Sequence, residues 1–301
     1  MFASKVGIIA FGLAALFVIV SASHCAEKSL CDGLELHTFT AAEEPKEAFL
    51  QDMRIRFCGC RVVDGSININ RPENELYNSK DFKFLSSVEE IGDSLFIQNL
   101  NISDHITLPN LQLIRGRNLV DNTISPTRHP ALLIHNVTGP VYLPNLTEIS
   151  IGDVYIVTVS SCNHRGVLWE GILTDPNSQY QELGNDHCPS RDAIINRDCP
   201  HCESRYCWSS NYCQTLTKNF GTCFEVCSTR RCYLDTMGNP QCCSRECAAG
   251  CVGPNDNQGT VSRYKFLIGI FCMYLSDLQE LQQQWCTYVL LTALQKKYTI
   301  Q

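Results

Sequence analysis

Eleven of the chain's cysteines fall between Cys199 and Cys251, and their spacing repeats: C-x2-C-x4-C-x5-C, then C-x3-C-x4-C-x9-C, then C-x3-C-x3-C. Apolar content in this stretch is too low for an ordinary core, so covalent staples must replace it. Within a four-cysteine module the natural pairing is first with third and second with fourth. That suggests Cys199–Cys207 with Cys202–Cys213, and Cys223–Cys232 with Cys227–Cys242. Spacing by itself leaves the connectivity open. Each pair closes a short loop, worth on the order of 2–3 kcal/mol. Cys242 and Cys243 are adjacent and are assigned to neighbouring modules.

With 19 Cys in 301 residues, the chain is expected in an oxidising compartment. The N-terminus supplies the route. Lys5 precedes an apolar stretch from Val6 to Val20, and Ser21-Ala22-Ser23 offers small residues for cleavage. This is the layout of a secretory signal peptide over residues 1–23, and it is shorter than the roughly 20 apolar residues that span a bilayer. Net charge is −7 and no basic run appears, so nucleic acid is not expected as a partner.

Cysteine is sparse before Cys199. An amphipathic helix is predicted from Pro45 to about Arg56, because Phe49, Met53 and Phe57 recur every four residues. After Cys60 the texture turns to short β-like runs. Leu108-Pro-Asn-Leu111 is echoed by Leu143-Pro-Asn-Leu146, and each is followed by a short apolar strand. Such near-repeats indicate stacked coils that share one core. The expected fold class is mainly β: a right-handed β-helix with leucine-rich-like turns over 31–188, then a disulfide-rich rod of small modules over 199–258. Three Asn-x-Ser/Thr sequons lie in the first domain, at Asn101, Asn136 and Asn145, and are expected to mark surface carrying glycan.

Particular residues carry a family resemblance. Cys207-Trp208, Cys213-Gln-Thr-Leu-Thr-Lys218 and Cys242-Cys243-Ser-Arg-Glu-Cys247-Ala-Ala-Gly-Cys251-Val-Gly-Pro254 resemble the furin-like cysteine-rich region of epidermal growth factor receptors. Cys60-Arg-Val-Val-Asp-Gly65, Leu111-Gln-Leu-Ile-Arg-Gly116 and Cys162 followed by Trp169 are similar to landmarks of that family's first ligand-binding L domain. The insulin receptor shares the layout, but the Ala-Ala-Gly block favours the growth factor receptor branch. The resemblance implies disulfides Cys31–Cys60, Cys162–Cys188 and Cys243–Cys251, while the extra Cys25 and Cys58 are hypothesised to pair. It also implies a partner for Cys247 shortly after Gln258, where no cysteine stands; Cys272 is the nearest downstream. Residues 259–301 do not resemble the family and are read as an unrelated tail, translated past a mis-called splice site. Phe266–Leu275 within it is too short to span a membrane.

Catalytic readings fare poorly. Gly92-Asp93-Ser94-Leu95 spells an esterase motif, but the Asp-x-x-His that should complete it is missing, and Gly184-Asn-Asp-His187 does not substitute. Cys199-Pro-His-Cys202 has zinc-like spacing, yet the surrounding cysteine repeat assigns it to disulfides. No kinase loop is present, and neither cofactor nor metal is expected. The resemblance implies a growth factor as partner, bound on one β-face through Arg71, Asn99, Asp121, Ile134 and His135. Arg71 departs from the family's aromatic. The reading is an extracellular, growth-factor-binding portion of a membrane-spanning receptor tyrosine kinase, cut before the dimerisation arm and so monomeric. A secreted decoy with one L domain, and an adhesive glycoprotein, are the alternatives.

Overall fold

The computed structural model describes residues 25–34, 44–71, 75–120, 129–157, 162–183, 188–217, 220–227, 231–244, 247–253 and 259–261. Residues 1–23, read above as a signal peptide, Asp121, His187, Cys272 and the residues beyond 261 lie outside them. The chain is mainly β. Two parallel sheets dominate residues 28–183. The first runs in order Lys28–Asp32, Cys60–Asp64, Glu90–Ile91, Leu113–Ile114, Glu148–Ile149. The second runs Ile67–Asn70, Leu95–Ile102, Pro130–Val137, Asp153–Val157, Tyr180–Leu183, with Leu76–Tyr77 pairing beside Leu95–Ile102.

From Cys60 to Val157 the chain visits the two sheets alternately, with Leu76–Tyr77 as an additional strand beside the second in the first coil. Register explains the aliphatic repeats. Cys31, Val63, Ile91, Ile114 and Ile149 form one column across the first sheet. Ile67, Leu95, Leu132 and Val154 form a second column, and Ile69, Ile97, Ile134 and Ile156 a third, across the second sheet. All are buried. Each such side chain stabilises the stack by about 1.5–3 kcal/mol through removal from water. A slip of one residue would turn a whole column outward, so the register is strongly specified. Gly116, at φ +66°, ends one coil so close to the next that a Cβ would lie 2.0 Å from the Ile151 carbonyl oxygen. Only glycine fits there without backbone movement.

The predicted helix is Lys46–Phe57, with Pro45 just before its first turn. Phe49, Leu50, Met53 and Phe57 are buried against the main core. Among the described residues no helix is long and apolar enough to cross a membrane.

Eight disulfides join described residues: Cys25–Cys58, Cys31–Cys60, Cys162–Cys188, Cys199–Cys207, Cys202–Cys213, Cys223–Cys232, Cys227–Cys242 and Cys243–Cys251. Three small antiparallel hairpins follow the cysteine modules: Cys207–Ser209 with Tyr212–Cys213, Cys232–Leu234 with Pro240–Cys242, and Ala248–Cys251 with Gly259–Val261. The second strand of the third hairpin, Gly259–Val261, lies just past residue 258. Cys247 is buried beside the Cys243–Cys251 bridge, and its carbonyl accepts from Arg231 Nη1 at 2.7 Å.

The first cysteine module is packed into the end of the β-stack. Trp208 is fully buried in the main core and meets Trp169 edge-on at 5.5 Å; Trp169 in turn stacks on Tyr180 at 4.9 Å. Tyr212 stacks on Tyr142 at 4.6 Å. Gln214 closes a two-way bond with the Leu168 backbone: the amide N–H donates to Oε1 at 2.8 Å, and Nε2 donates to the carbonyl at 3.2 Å. Further along, Arg231 forms a buried ion pair with Glu148 at 2.8 Å.

At the same joint His164 is entirely buried, with its ring 6.5 Å from that of Trp208. Burial alone holds its pKa down at about 4. The charged groups on the neighbouring elements are engaged elsewhere: Arg165 with Glu182, Arg191 with Glu170, and Arg197 with Asp198.

Two predictions follow from the joint. Trp208→Ala should cost about 3–5 kcal/mol, read as a fall in thermal midpoint, since a large aromatic leaves a cavity in a shared core; an unchanged midpoint would show the module to be merely tethered. His164 is neutral when folded and protonates more readily when unfolded. Stability should therefore be complete above about pH 6.5 and decline by up to about 1.4 kcal/mol per unit as pH falls toward 4. His164→Gln should flatten that slope in thermal melts across pH.

Candidate functional site

The second sheet has two faces, and alternation assigns the paired residues ahead of the left-handed Asn99 and Asn136 to one or the other. Leu95, Ile97, Leu132, Ile134, Val154 and Ile156 point into the main core. Two rows occupy the opposite face. One reads Asn68, Phe96, Leu133, Tyr155, Gln181; the other reads Asn70, Gln98, His135, Val157, Leu183. Phe96, Leu133 and Tyr155 form a small apolar cluster separate from the main core, with Val120 and Val157 packed on it. The accessible remainder of the face is Asn68, His135, Val157 and Gln181, which are half-buried, and Leu183, which is exposed. The apolar centre of this face is itself buried, so what it offers to solvent is the polar and half-buried margin around that centre.

The residues expected on this face separate. His135 lies on it. Ile134, its neighbour in the strand, is fully buried between Ile97 and Ile156, because adjacent strand residues point to opposite faces; it is not a surface contact. Asn99 sits at φ +50° with its amide nitrogen donating to Asn70 Oδ1 at 3.0 Å. Asp121 lies outside the described residues.

Arg71 also requires correction. It is fully buried. Its guanidinium donates to Glu75 at 2.7 Å, to Tyr77 at 2.9 Å and to the Glu44 carbonyl at 2.6 Å, and it lies over the Phe49 ring at 4.7 Å. Burial works against its charge, but the bonds from Glu75 and Tyr77 outweigh it, and its pKa is raised. Glu75 is likewise desolvated, yet bonds from Tyr77 and Arg71 hold it below the usual carboxylate range. Burial, with Glu75 as hydrogen-bond acceptor, pushes the Tyr77 phenol up. Arg71 therefore braces the helix against the β-stack.

The Phe96–Leu133–Tyr155 row was not anticipated. Its signal is the lack of alternation in Leu95-Phe96-Ile97 and Ala131-Leu-Leu-Ile134. Apolar residues at consecutive strand positions mean that both faces are covered.

The chemical motifs are occupied structurally. Ser94 is fully buried and its hydroxyl donates to the Pro130 carbonyl at 3.3 Å. The sulfurs of Cys199 and Cys202 belong to disulfides with Cys207 and Cys213, and His201 Nε2 lies 3.7 Å from Cys202 Sγ.

The receptor L domain family matches residues 59–171, and the furin-like cysteine rich region matches residues 182–284. The chain is 26% identical over 215 residues to the epidermal growth factor receptor of Drosophila melanogaster, covering 69% of this chain and 14% of the relative. It is 30% identical over 213 residues to the epidermal growth factor receptor of Gallus gallus, covering 68% and 28%. The chain belongs to the epidermal growth factor receptor family. Receptor tyrosine-protein kinase erbB-2 of Mesocricetus auratus is 27% identical over 239 residues, covering 75% of this chain and 18% of that receptor. The chain thus spans less than a third of each of these relatives. Both family matches fall in the L and furin-like regions, and no kinase domain is indicated in this receptor-family chain. The furin-like match runs to residue 284.

Arg71→Ala should lower stability by on the order of 3 kcal/mol, because a fully buried guanidinium and its bonds to Glu75, Tyr77 and the Glu44 carbonyl are lost together. Binding per folded molecule should stay unchanged. Lost affinity with intact stability would instead place Arg71 in a binding surface.

Proposed function

We propose that this chain is an extracellular, ligand-receiving portion of an epidermal growth factor receptor-like protein, and that its partner is an epidermal growth factor-like polypeptide. Residues 31–188 form the L domain, whose alternating sheets we take as coils of a right-handed β-helix. The cysteine modules from 199 onward form the start of a rod. Residues 1–23 deliver the chain to the secretory route. The observation that carries this reading is the second row on the outer face of the six-stranded sheet, where His135, Val157 and Leu183 lie side by side at the margin of an apolar cluster.

One face of one L domain offers only part of a polypeptide's contact surface, so binding should be weak. The chain is expected to be monomeric. A decoy role requires that same binding, whereas an adhesive role does not.

Titration of a labelled epidermal growth factor-like polypeptide tests the proposal. Saturable binding is expected, weakened about tenfold in the double variant His135→Ala with Leu183→Ala, equivalent to about 1.4 kcal/mol. No binding at millimolar site concentration would contradict the proposal and favour adhesion.

A further inference from the structure

The three sequons occupy different positions in the fold. Asn145 lies in Leu143-Pro-Asn-Leu146, and its amide nitrogen donates to the Pro109 carbonyl of the preceding coil at 2.6 Å. Asn110 lies in the matching Leu108-Pro-Asn-Leu111 and does the same, donating to the Ser86 carbonyl at 2.7 Å. Asn110 is followed by Leu-Gln and is not in a sequon. The repeat, not glycosylation, accounts for asparagine at this position. Asn145 is further committed, since its Oδ1 accepts from Thr215 Oγ1 of the first cysteine module at 2.8 Å. Both the nitrogen and the oxygen of this half-buried carboxamide are bonded to protein.

Asn136 follows the same logic. Its amide nitrogen donates to Asn99 Oδ1 at 3.1 Å, and Asn99 donates in turn to Asn70 Oδ1 at 3.0 Å. Asn99 and Asn136 share φ values of +50° and +52°, a conformation that asparagine tolerates better than most residues. Asn99 stands in Asn-Leu-Asn and is not in a sequon either. A stacked row of asparagines at the coil corners explains both residues.

Asn101 differs. Its Oδ1 accepts from Thr138 Oγ1 at 3.1 Å in a solvent-exposed bond, and no hydrogen bond among the described residues uses its amide nitrogen. N-glycosylation joins that nitrogen to the anomeric carbon of a lipid-diphosphate-linked oligosaccharide. The amide loses one proton and the diphosphate-lipid departs. Of the three sequon asparagines, Asn101 alone shows no hydrogen bond from its side-chain nitrogen among the described residues, whereas that nitrogen is held by the fold at Asn136 and Asn145.

We propose that Asn101 is the carbohydrate-bearing sequon, and that Asn136 and Asn145 are structural asparagines left unmodified in the folded chain. This rests on the extracellular reading. It removes glycan from the ledge beside His135 and from the joint with the first cysteine module.

The test is site-by-site occupancy on the full chain expressed in a secreting eukaryotic host. The protease-resistant, folded fraction is treated with an amidase in heavy-oxygen water, and each asparagine peptide is weighed. The expected result is label at Asn101 and none at Asn136 or Asn145. As a second reading, Ser103→Ala should abolish the glycan mobility shift, and Thr147→Ala should leave it unchanged. Label at Asn136 or Asn145, or an oxidised chain with bare Asn101, would overturn the assignment alone. A chain that stays reduced and unglycosylated would overturn the extracellular reading with it.

Discussion

Everything in this molecule depends on closing the open end of a parallel β-stack. Coils that share one core leave their last coil with an apolar face and nothing above it. Here the cover comes from the next architecture along the chain. Trp208 belongs to a disulfide-stapled hairpin, yet it is buried as deeply as any leucine of the β-stack, against Trp169. The module cannot form a core of its own and borrows one; the stack cannot close itself and is closed. Gln214 reinforces the seam by standing in for a strand partner at Leu168.

The same seam concentrates the molecule's polar risk. Arg231 and Glu148 are both withdrawn from water and compensate one another only in the docked arrangement. His164 is buried as a neutral ring within the joint. Acid would therefore act on the junction between the two architectures. The aliphatic columns have no titratable group to respond.

Much of this was legible in the sequence, for identifiable reasons. Cysteine spacing constrains a module because short loops leave few pairings. The Leu-Pro-Asn-Leu echo marks equivalent corners of successive coils. The Phe49-Met53-Phe57 stripe places one helix face inward. The face of an individual strand residue was harder to read. The family resemblance places Ile134 and His135 on one face, whereas adjacency in a strand separates them. The resemblance likewise places Arg71 on that face; its burial depends on Glu75 and Tyr77, and on Glu44 from before the helix. Such a brace has no local signature. The Phe96–Leu133–Tyr155 row was visible in principle, since three apolar residues in succession require two covered faces.

The outer face of the six-stranded sheet is the proposed seat of the polypeptide ligand. Site-specific photocrosslinking tests it most directly. A photoreactive amino acid in place of His135 should capture an epidermal growth factor-like polypeptide on illumination. The same group in place of Ile55, exposed on the helix, should not. Equal capture at both positions, or capture from the helix alone, would contradict the claim.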